Sequence, residues 1–346
     1  MLKTCKPARK PLYNERIMPT DIYSDMTQQQ TDEMFMRRCL QLAANGLLTT
    51  KPNPMVGAVI VSEEGRIIGE GFTSPVGGPH AEVNAFAAVS AADEALLPHS
   101  TIYVSLEPCS HWGHTPPCCD LIISKKVRRC VCGCVDPFAK VQGRGIARMR
   151  EAGIAVTVGV LEVECKAMNR RFMTFNEKQR PYIILKWAQT VNGFISGEGG
   201  SPIKISTPFT SMLVHKLRAE SDAILIGRHT LETDHPQLTT REWSGSNAMR
   251  LVLTHHADAI PDGFHAFSSI DDALAFLYDN KKQSLIVEGG ANVLKQFLNR
   301  DLWDEIRVET NLKTVTGGVE APRLPATALL YQRSVYDGNI IAVFRR

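Results

Sequence analysis

A chain of 346 residues is too long for one average domain and suits two, each large enough to bury its own core. With 44% hydrophobic and 22% charged residues, the composition is that of a globular protein and excludes a disordered or fibrous chain. No apolar run reaches membrane-spanning length, and a net charge of +3 is too small to imply nucleic acid or an anionic membrane as partner, although it leaves room for local phosphate pockets.

Nine cysteines make an odd count, and the first 25 residues show neither the apolar stretch nor the small-residue cleavage site of a secretory signal. The expectation is a reducing cytoplasm, where thiols serve more often as metal ligands, nucleophiles or core residues than as disulfides. Residues 1–26 are polar and basic without periodicity and are expected to form a disordered extension. From Thr31, an N-cap followed by Asp32 and Glu33 opens a helix with an apolar face of Met34, Cys39, Leu42 and Ala43, ending near Asn45 and Gly46. Residues 56–61 and 66–71 read as a hairpin around Glu64-Gly65.

An Ala-rich helix is predicted over 82–92, strands over 101–106, 127–135 and 154–158, and a helix over 142–151. Cys130, Cys132 and Cys134 alternate along the second of these strands, so they share one face and are expected in the core rather than on a metal. This alternation of strands and helices predicts an α/β layered sheet closing near Cys165. Residues 166–181 read as a connecting helix or arm. A second α/β series begins with a strand over 182–187 and continues with a helix over 211–219, strands over 223–227 and 249–254, and a helix over 270–278. A strand over 284–288, the Gly289-Gly290 turn and a helix over 292–299 follow. No internal repeat is visible, so the two regions are different domains, expected at 27–168 and 182–346 with a linker over 169–181.

The chemistry is carried by His80-Ala81-Glu82, Pro108-Cys109 and Cys118. One imidazole and two thiolates hold a zinc ion and leave a fourth position open for water, while Glu82, two residues from His80, is placed to shuttle protons. This set is what hydrolytic removal of an amine from a pyrimidine-type ring requires. Nucleobase deaminases carry H-x-E with P-C-x-x-C, whereas here eight residues, 110–117, separate the cysteines and predict a loop over the pocket. Cys119 competes with Cys118 for the ligand role, and a closed structural knuckle with His111 or Cys119 as fourth ligand competes with the catalytic site. Asn53 either reads a ring edge, donating and accepting at once, or merely turns the chain. A deaminase acting on RNA is opposed by the lack of a basic stripe with interleaved aromatics.

Thr50-x-Pro52-Asn53-Pro54-x-Val56-Gly57, Pro79-His80-Ala81-Glu82 and Leu106-Glu107-Pro108-Cys109-Ser110-His111-x-Gly113-x-Thr115-Pro116-Pro117-Cys118 resemble the bifunctional pyrimidine deaminase/reductase family of riboflavin biosynthesis. Asp136-Pro137 and Gly143-Arg144-Gly145 extend the resemblance. The resemblance implies a cytidine-deaminase-like three-layer α/β/α domain followed by a dihydrofolate-reductase-like α/β domain. It implies that the first removes an amine from a phosphoribosylated diaminopyrimidinone, with His80, Cys109 and Cys118 on zinc, Glu82 as general acid/base, and Asn53 and His111 on the base.

Leu185-Lys186-x-Ala188, Leu217-Arg218-Ala219, Thr230, Asp234-x-Pro236-x-Leu238-Thr239, Arg241 and Ile286-Val287-Glu288-Gly289-Gly290 resemble the reductase half, which uses NADPH to reduce the ribose to a ribityl chain. By position, Arg218, Leu238, Arg241 and Glu288 map to substrate. Ala188, Thr230, Asp234 and the segment Gly290, Ala291, Asn292, Val293, Leu294, Lys295 and Gln296 map to the cofactor, joined by Lys204. The family is commonly homo-oligomeric. The chain departs from the family pattern at His114, Phe138, Asn192, Pro202, Lys204 and His255, which bears on phosphate and NADPH contacts.

Overall fold

The computed structural model describes residues 26–112, 116–138, 142–256 and 260–346. The expected extension over 1–26 lies, apart from Met26, outside the described residues, as does His114.

The first helix, α1 (Gln28–Ala43), begins earlier than the acidic pair at 32 and 33 suggests, because Thr27 is its N-cap. The Thr27 hydroxyl accepts the Gln30 N–H at 3.3 Å, and the Gln30 side chain accepts the Thr27 N–H at 2.8 Å. Asp32 is buried instead of capping: its carboxylate receives Arg129 at 2.6 Å and the Tyr103 hydroxyl at 3.0 Å. The hairpin strands β1 (Gly57–Val61) and β2 (Ile67–Phe72) follow, then α2 (Ala81–Ala87), β3 (Thr101–Val104), α3 (Cys118–Ser124), β4 (Arg129–Cys132), α4 (Arg144–Glu151) and β5 (Ala155–Val158). They form a five-stranded sheet in the order β2-β1-β3-β4-β5, with β1 antiparallel to both neighbours and β3, β4 and β5 parallel.

Helices cover both faces of this sheet. A Cβ on Gly57 would stand 1.9 Å from the Cys39 carbonyl of α1, and one on Gly71 would stand 2.5 Å from the Ala81 carbonyl of α2. Gly71 is paired with Ala58, so successive β1 residues face opposite helix layers, giving the expected α/β/α sandwich. The strands β3 and β4 are shorter than predicted, because the apolar pattern continues past the ladder into the buried turn residues Leu106 and Cys134. Cys130, Cys132 and Cys134 are all buried in the core, with the first two sulfurs 3.8 Å apart.

The connecting arm is two helices, α5 (Glu162–Met168) and α6 (Arg170–Lys178), and it packs Cys165 and Met173 into the first core. The second sheet is built from β6 (Tyr182–Thr190), then, past β7 (Phe194–Ser196) and α7 (Pro208–Ala219), β8 (Ala223–Gly227). After α8 (Arg228–Asp234) come β9 (Met249–Leu253), β10 (Phe264–Phe267), α9 (Ile270–Asp279), β11 (Ser284–Gly289), α10 (Ala291–Asn299) and β12 (Glu305–Asn311). The chain closes with β13 (Val319–Glu320), which pairs with β7, and with β14 (Leu329–Tyr336) and β15 (Asn339–Arg345). The eight-stranded order is β10-β9-β8-β11-β6-β12-β15-β14, parallel as far as β12 and antiparallel beyond.

A parallel sheet covered on both faces needs strands that are apolar on both sides, which is why β8 is buried at every position. Alternate β6 residues feed separate cores: Ile183, Leu185 and Trp187 join Phe297 and Trp303, whereas Tyr182 and Ile184 join Leu217 and Leu238. No helix among the described residues is long and apolar enough to cross a membrane.

The two sheets dock through polar contacts close to Asn53. Gln283 donates to the Pro52 carbonyl at 2.7 Å, Lys51 donates to the Glu220 carbonyl at 2.6 Å, and Lys51 lies 3.3 Å from Asp222. The Phe175 and Tyr278 rings pack with centroids 4.8 Å apart.

Candidate active site

His80 is the N-cap of α2, Cys109 lies in the turn after β3, and Cys118 is the first residue of α3. These three loop-to-helix junctions converge. The His80 Nδ1 lies 3.6 Å from the Cys109 sulfur and 3.3 Å from the Cys118 sulfur, and all three ligand atoms fall within 4.8 Å of one another. Among the described residues, no other histidine, cysteine, aspartate or glutamate joins this cluster. The first N–H of α3, from Cys118, donates to the Cys109 sulfur at 3.2 Å. Hydrogen bonding from Cys118, with His80 beside it, holds the Cys109 thiol down to about 4, while the same contact and burial push Cys118 up. One imidazole nitrogen and two convergent sulfurs, one of them readily ionised, fit a tetrahedral zinc ion with one position left open.

Cys119 turns away into the core, with its sulfur against the Asp120 carboxylate at 3.6 Å and burial pushing its thiol up to about 12. His111 is exposed and packs edge-on to Phe138 at 6.0 Å, so neither fourth ligand of a closed knuckle is in place.

A cavity of about 370 Å³ opens beside the cluster and is lined by Asn53, His80, Glu82, Cys109, His111 and Phe138. Thus the sequence-predicted groups of the first region line one space, except Cys118, which is buried at its edge against His80. The Glu82 carboxyl is buried, which pushes it up to about 7.

The second region has a cavity of about 680 Å³ lined by Thr230, Gly290, Ala291, Asn292, Val293 and Gln296, together with His255. It sits over the N-terminal end of α10. A Cβ on Gly227 would meet Val293 at 2.8 Å and one on Gly290 would meet the Thr230 hydroxyl at 3.1 Å, so bare backbone lines the cleft. Free N–H groups at a helix start over a glycine-lined cleft suit the phosphates of a dinucleotide.

Other expected cofactor residues lie elsewhere. Leu294 is buried in the core, Lys295, Lys204 and Asp234 face solvent, and Ala188 is half-buried in β6 opposite Glu309. None of them lines the cleft. Of the expected substrate residues, Arg218 and Glu288 bond to one another at 2.7 Å with both side chains largely buried. Against the burial that opposes it, Lys186 and Arg218 hold the Glu288 carboxyl below the usual carboxylate range. The Arg241 N–H donates to His215 Nδ1 at 3.3 Å, and burial followed by the charges of Arg218 and Arg241 lowers the His215 imidazole. Leu238 is buried in the core with φ at 53°.

Two family models match the chain: the cytidine and deoxycytidylate deaminase zinc-binding region over residues 29–134 and the RibD C-terminal domain over 181–331. Among curated proteins, the riboflavin biosynthesis protein RibD of Synechocystis is 41% identical over 228 residues, 66% of this chain and 61% of that protein. RibD of Escherichia coli is 43% identical over 213 residues, covering 62% and 56% respectively. The chain thus spans about three fifths of the length of the curated relatives it matches. A solved diaminohydroxyphosphoribosylaminopyrimidine deaminase/5-amino-6-(5-phosphoribosylamino)uracil reductase from Thermotoga maritima is 32% identical, superposes with a TM-score of 0.82, and matches 92% of this chain and 99% of its own.

The chain belongs to the RibD family. RibD of Acinetobacter baumannii, at 26% identity and a TM-score of 0.83, again covers 92% of this chain and 99% of its own. The RibD fold brings in residues to which sequence reasoning assigned no role. Glu107 is buried two residues before Cys109, and its carboxylate accepts the N–H groups of Asp136, Gly143, Gly145 and Ile146 at 2.9–3.3 Å, tying the loop after β4 to the turn that carries Cys109. Asn169, in the arm between the two sheets, bonds both backbone groups of Met55. Lys281 and Gln283, from the far sheet, line the cavity that holds Glu82. Glu107 stands inside the quoted motif, so its place beside Cys109 was a usable signal. No sequence spacing announces the other three.

Proposed function

We propose that this RibD family member is a two-step enzyme of riboflavin biosynthesis. In the first step it hydrolytically deaminates 2,5-diamino-6-(5-phosphoribosylamino)pyrimidin-4(3H)-one. In the second it uses NADPH to reduce the ribosyl group of 5-amino-6-(5-phosphoribosylamino)uracil to ribityl. The observation that carries the reading is the buried Glu82 carboxyl in one cavity with Asn53 and the His80, Cys109 and Cys118 cluster.

His80, Cys109 and Cys118 would hold the zinc ion, which when bound would lower the pKa of a water toward neutrality. Glu82 is placed to accept a proton from the attacking water and return it to the exocyclic amine, so that a C–O bond forms, the C–N bond breaks and ammonia leaves. Asn53 and His111 hold the ring edge against this axis. In the second cavity, Thr230 and the first turn of α10 would hold the phosphates of NADPH, which would supply the hydride for the ribose carbon. Arg218 and Arg241 provide the charge for the substrate phosphate, with Glu288 fixing the Arg218 guanidinium. We further read the protein as a cytoplasmic homo-oligomer, supported by the exposed Leu329, Leu330, Tyr331 and Val335 along β14.

The test is metal analysis of the purified protein together with ammonia release from the phosphoribosyl diaminopyrimidinone and loss of reduced-nicotinamide absorbance on adding the deaminated product. About one zinc per chain is expected, together with both activities. Full deamination by protein free of zinc would overturn the first half, and no NADPH consumption at saturating product would overturn the second.

A further inference from the structure

The cavity beside Glu82 is not closed by the first sheet alone. Lys281 and Gln283, in the turn that joins α9 to β11 of the second sheet, form part of its wall. Three contacts fix this turn in place. Gln283 donates to the Pro52 carbonyl at 2.7 Å, immediately before Asn53. The Gln283 N–H donates to Asp222 at 3.0 Å, and Asp222 in turn faces Lys51 at 3.3 Å. Tyr278, three residues before Lys281, packs on Phe175, itself a lining residue. Lys281 adopts φ of 55° and donates its N–H to the Tyr278 carbonyl at 2.9 Å, which sets where its side chain leaves the backbone.

The charges around the cavity are otherwise accounted for. Glu107 is taken up by four backbone N–H groups, Asp136 accepts the Phe138 N–H at 2.8 Å, and Glu82 adjoins the metal ligands. Among the described residues that line the cavity, Lys281 is the one lysine or arginine, and among the described residues its ammonium has no carboxylate or carbonyl partner. An exposed lysine in the wall of a cavity, carried on a turn that three contacts fix and with no anion partner among the described residues, is a site for an anionic ligand group.

We propose that Lys281, supplied by the second sheet, binds the phosphate of the phosphoribosyl substrate in the deaminase cavity. The proposal rests on the reading of that cavity as a pyrimidine deaminase site, and it adds the element that distinguishes a phosphorylated substrate from its nucleoside. A point charge on a flexible stem suits a phosphate, while Asn53, on the wall contributed by the first sheet, takes the ring.

The experiment compares deamination of the phosphoribosyl substrate with that of its dephosphorylated ribosyl counterpart in wild type, Lys281→Asn and Lys281→Arg. Asparagine is the neutral replacement because it tolerates positive φ. For Lys281→Asn, KM for the phosphorylated substrate should rise roughly 10- to 100-fold with kcat little changed. KM for the ribosyl counterpart should stay at the wild-type value, and Lys281→Arg should restore most of the loss. Equal shifts on both substrates, or no shift on either, would overturn the proposal while leaving the deaminase reading intact. A wild-type protein that deaminates neither compound would overturn that reading, and the proposal with it. NADPH consumption by the same preparations reports folding, and a Lys281→Asn protein that has lost it is replaced by Lys281→Gln under the same criteria.

Discussion

Asn169 pairs with Met55 as a neighbouring strand would: its Oδ1 accepts the Met55 N–H and its Nδ2 donates to the Met55 carbonyl, each at 2.8 Å. The bond pair anchors the chain two residues beyond Asn53. Asn169→Ala leaves both Met55 groups without a partner and should cost about 1–3 kcal/mol in urea unfolding. It should also raise the deaminase KM while zinc content stays at the wild-type value. An unchanged KM would show that Asn53 keeps its place without this clamp.

Glu82→Gln preserves volume and the option to hydrogen-bond but removes the carboxylate that exchanges protons. Zinc stoichiometry should be retained and deamination should fall about 10²- to 10⁴-fold, with NADPH consumption untouched. Wild-type deamination by this variant would take Glu82 out of the chemistry and favour a structural metal site.

Removing the metal separates the two cavities. Dialysis against a strong chelator should abolish ammonia release and leave reduction of the deaminated product in place, because the cleft over α10 shares no residue with the His80, Cys109 and Cys118 cluster. Restored zinc should restore ammonia release. Loss of both activities on chelation would show that the metal holds the whole chain together.

Gly57 lies where α1 crosses β1, and the Cys39 carbonyl would be 1.9 Å from an added Cβ. Because the obstacle is backbone and not the end of a flexible side chain, α1 must lift off the sheet to accommodate even alanine. Gly57→Ala should destabilise by about 3 kcal/mol or more, seen as a lower melting temperature. A variant that melts with wild type would mean that α1 slides freely on the sheet.

Asp304 gathers Lys178 at 3.0 Å, Arg180 at 2.5 Å and the Ile183 N–H at 2.9 Å, joining the end of α6 to the start of β6. Burial raises its carboxyl, but Arg180 and the other donors outweigh burial and hold it below the usual range. A depressed carboxyl contributes stability that is complete above its unfolded value, about 3.9, and is lost as the pH falls through its lower folded value. Asp304→Asn should therefore be less stable at neutral pH and should show a shallower loss of stability on acidification. Parallel acid limbs for the two proteins would refute this assignment.

The convergence of His80, Cys109 and Cys118 was legible because each stands at a junction that sequence marks well: His80 after Gly77-Gly78-Pro79, Cys109 after Pro108, and Cys118 after Pro116-Pro117. Alternation of strands and helices likewise sufficed for two α/β layers. Strand ends were less legible, since Leu106 and Cys134 continue the apolar pattern after the ladder has ended. The N-terminal cap was misplaced for a related reason, because Asp32 resembles a first-turn acid yet is held in the core by Arg129. In the second region the chain positions of Leu294, Lys295, Lys204, Asp234 and Ala188 gave no information on which way their side chains turn. Nor does any local rule join Pro52 to a glutamine 231 positions further on.

That last bond changes what the two halves are to one another. A gene split between α6 and β6 would leave the first product with a breach beside Asn53, open to bulk water where Gln283 and Lys281 now stand. Tethering two domains usually means no more than keeping them near each other. In this chain one half serves as masonry for the other, so the fusion is part of the pocket's construction.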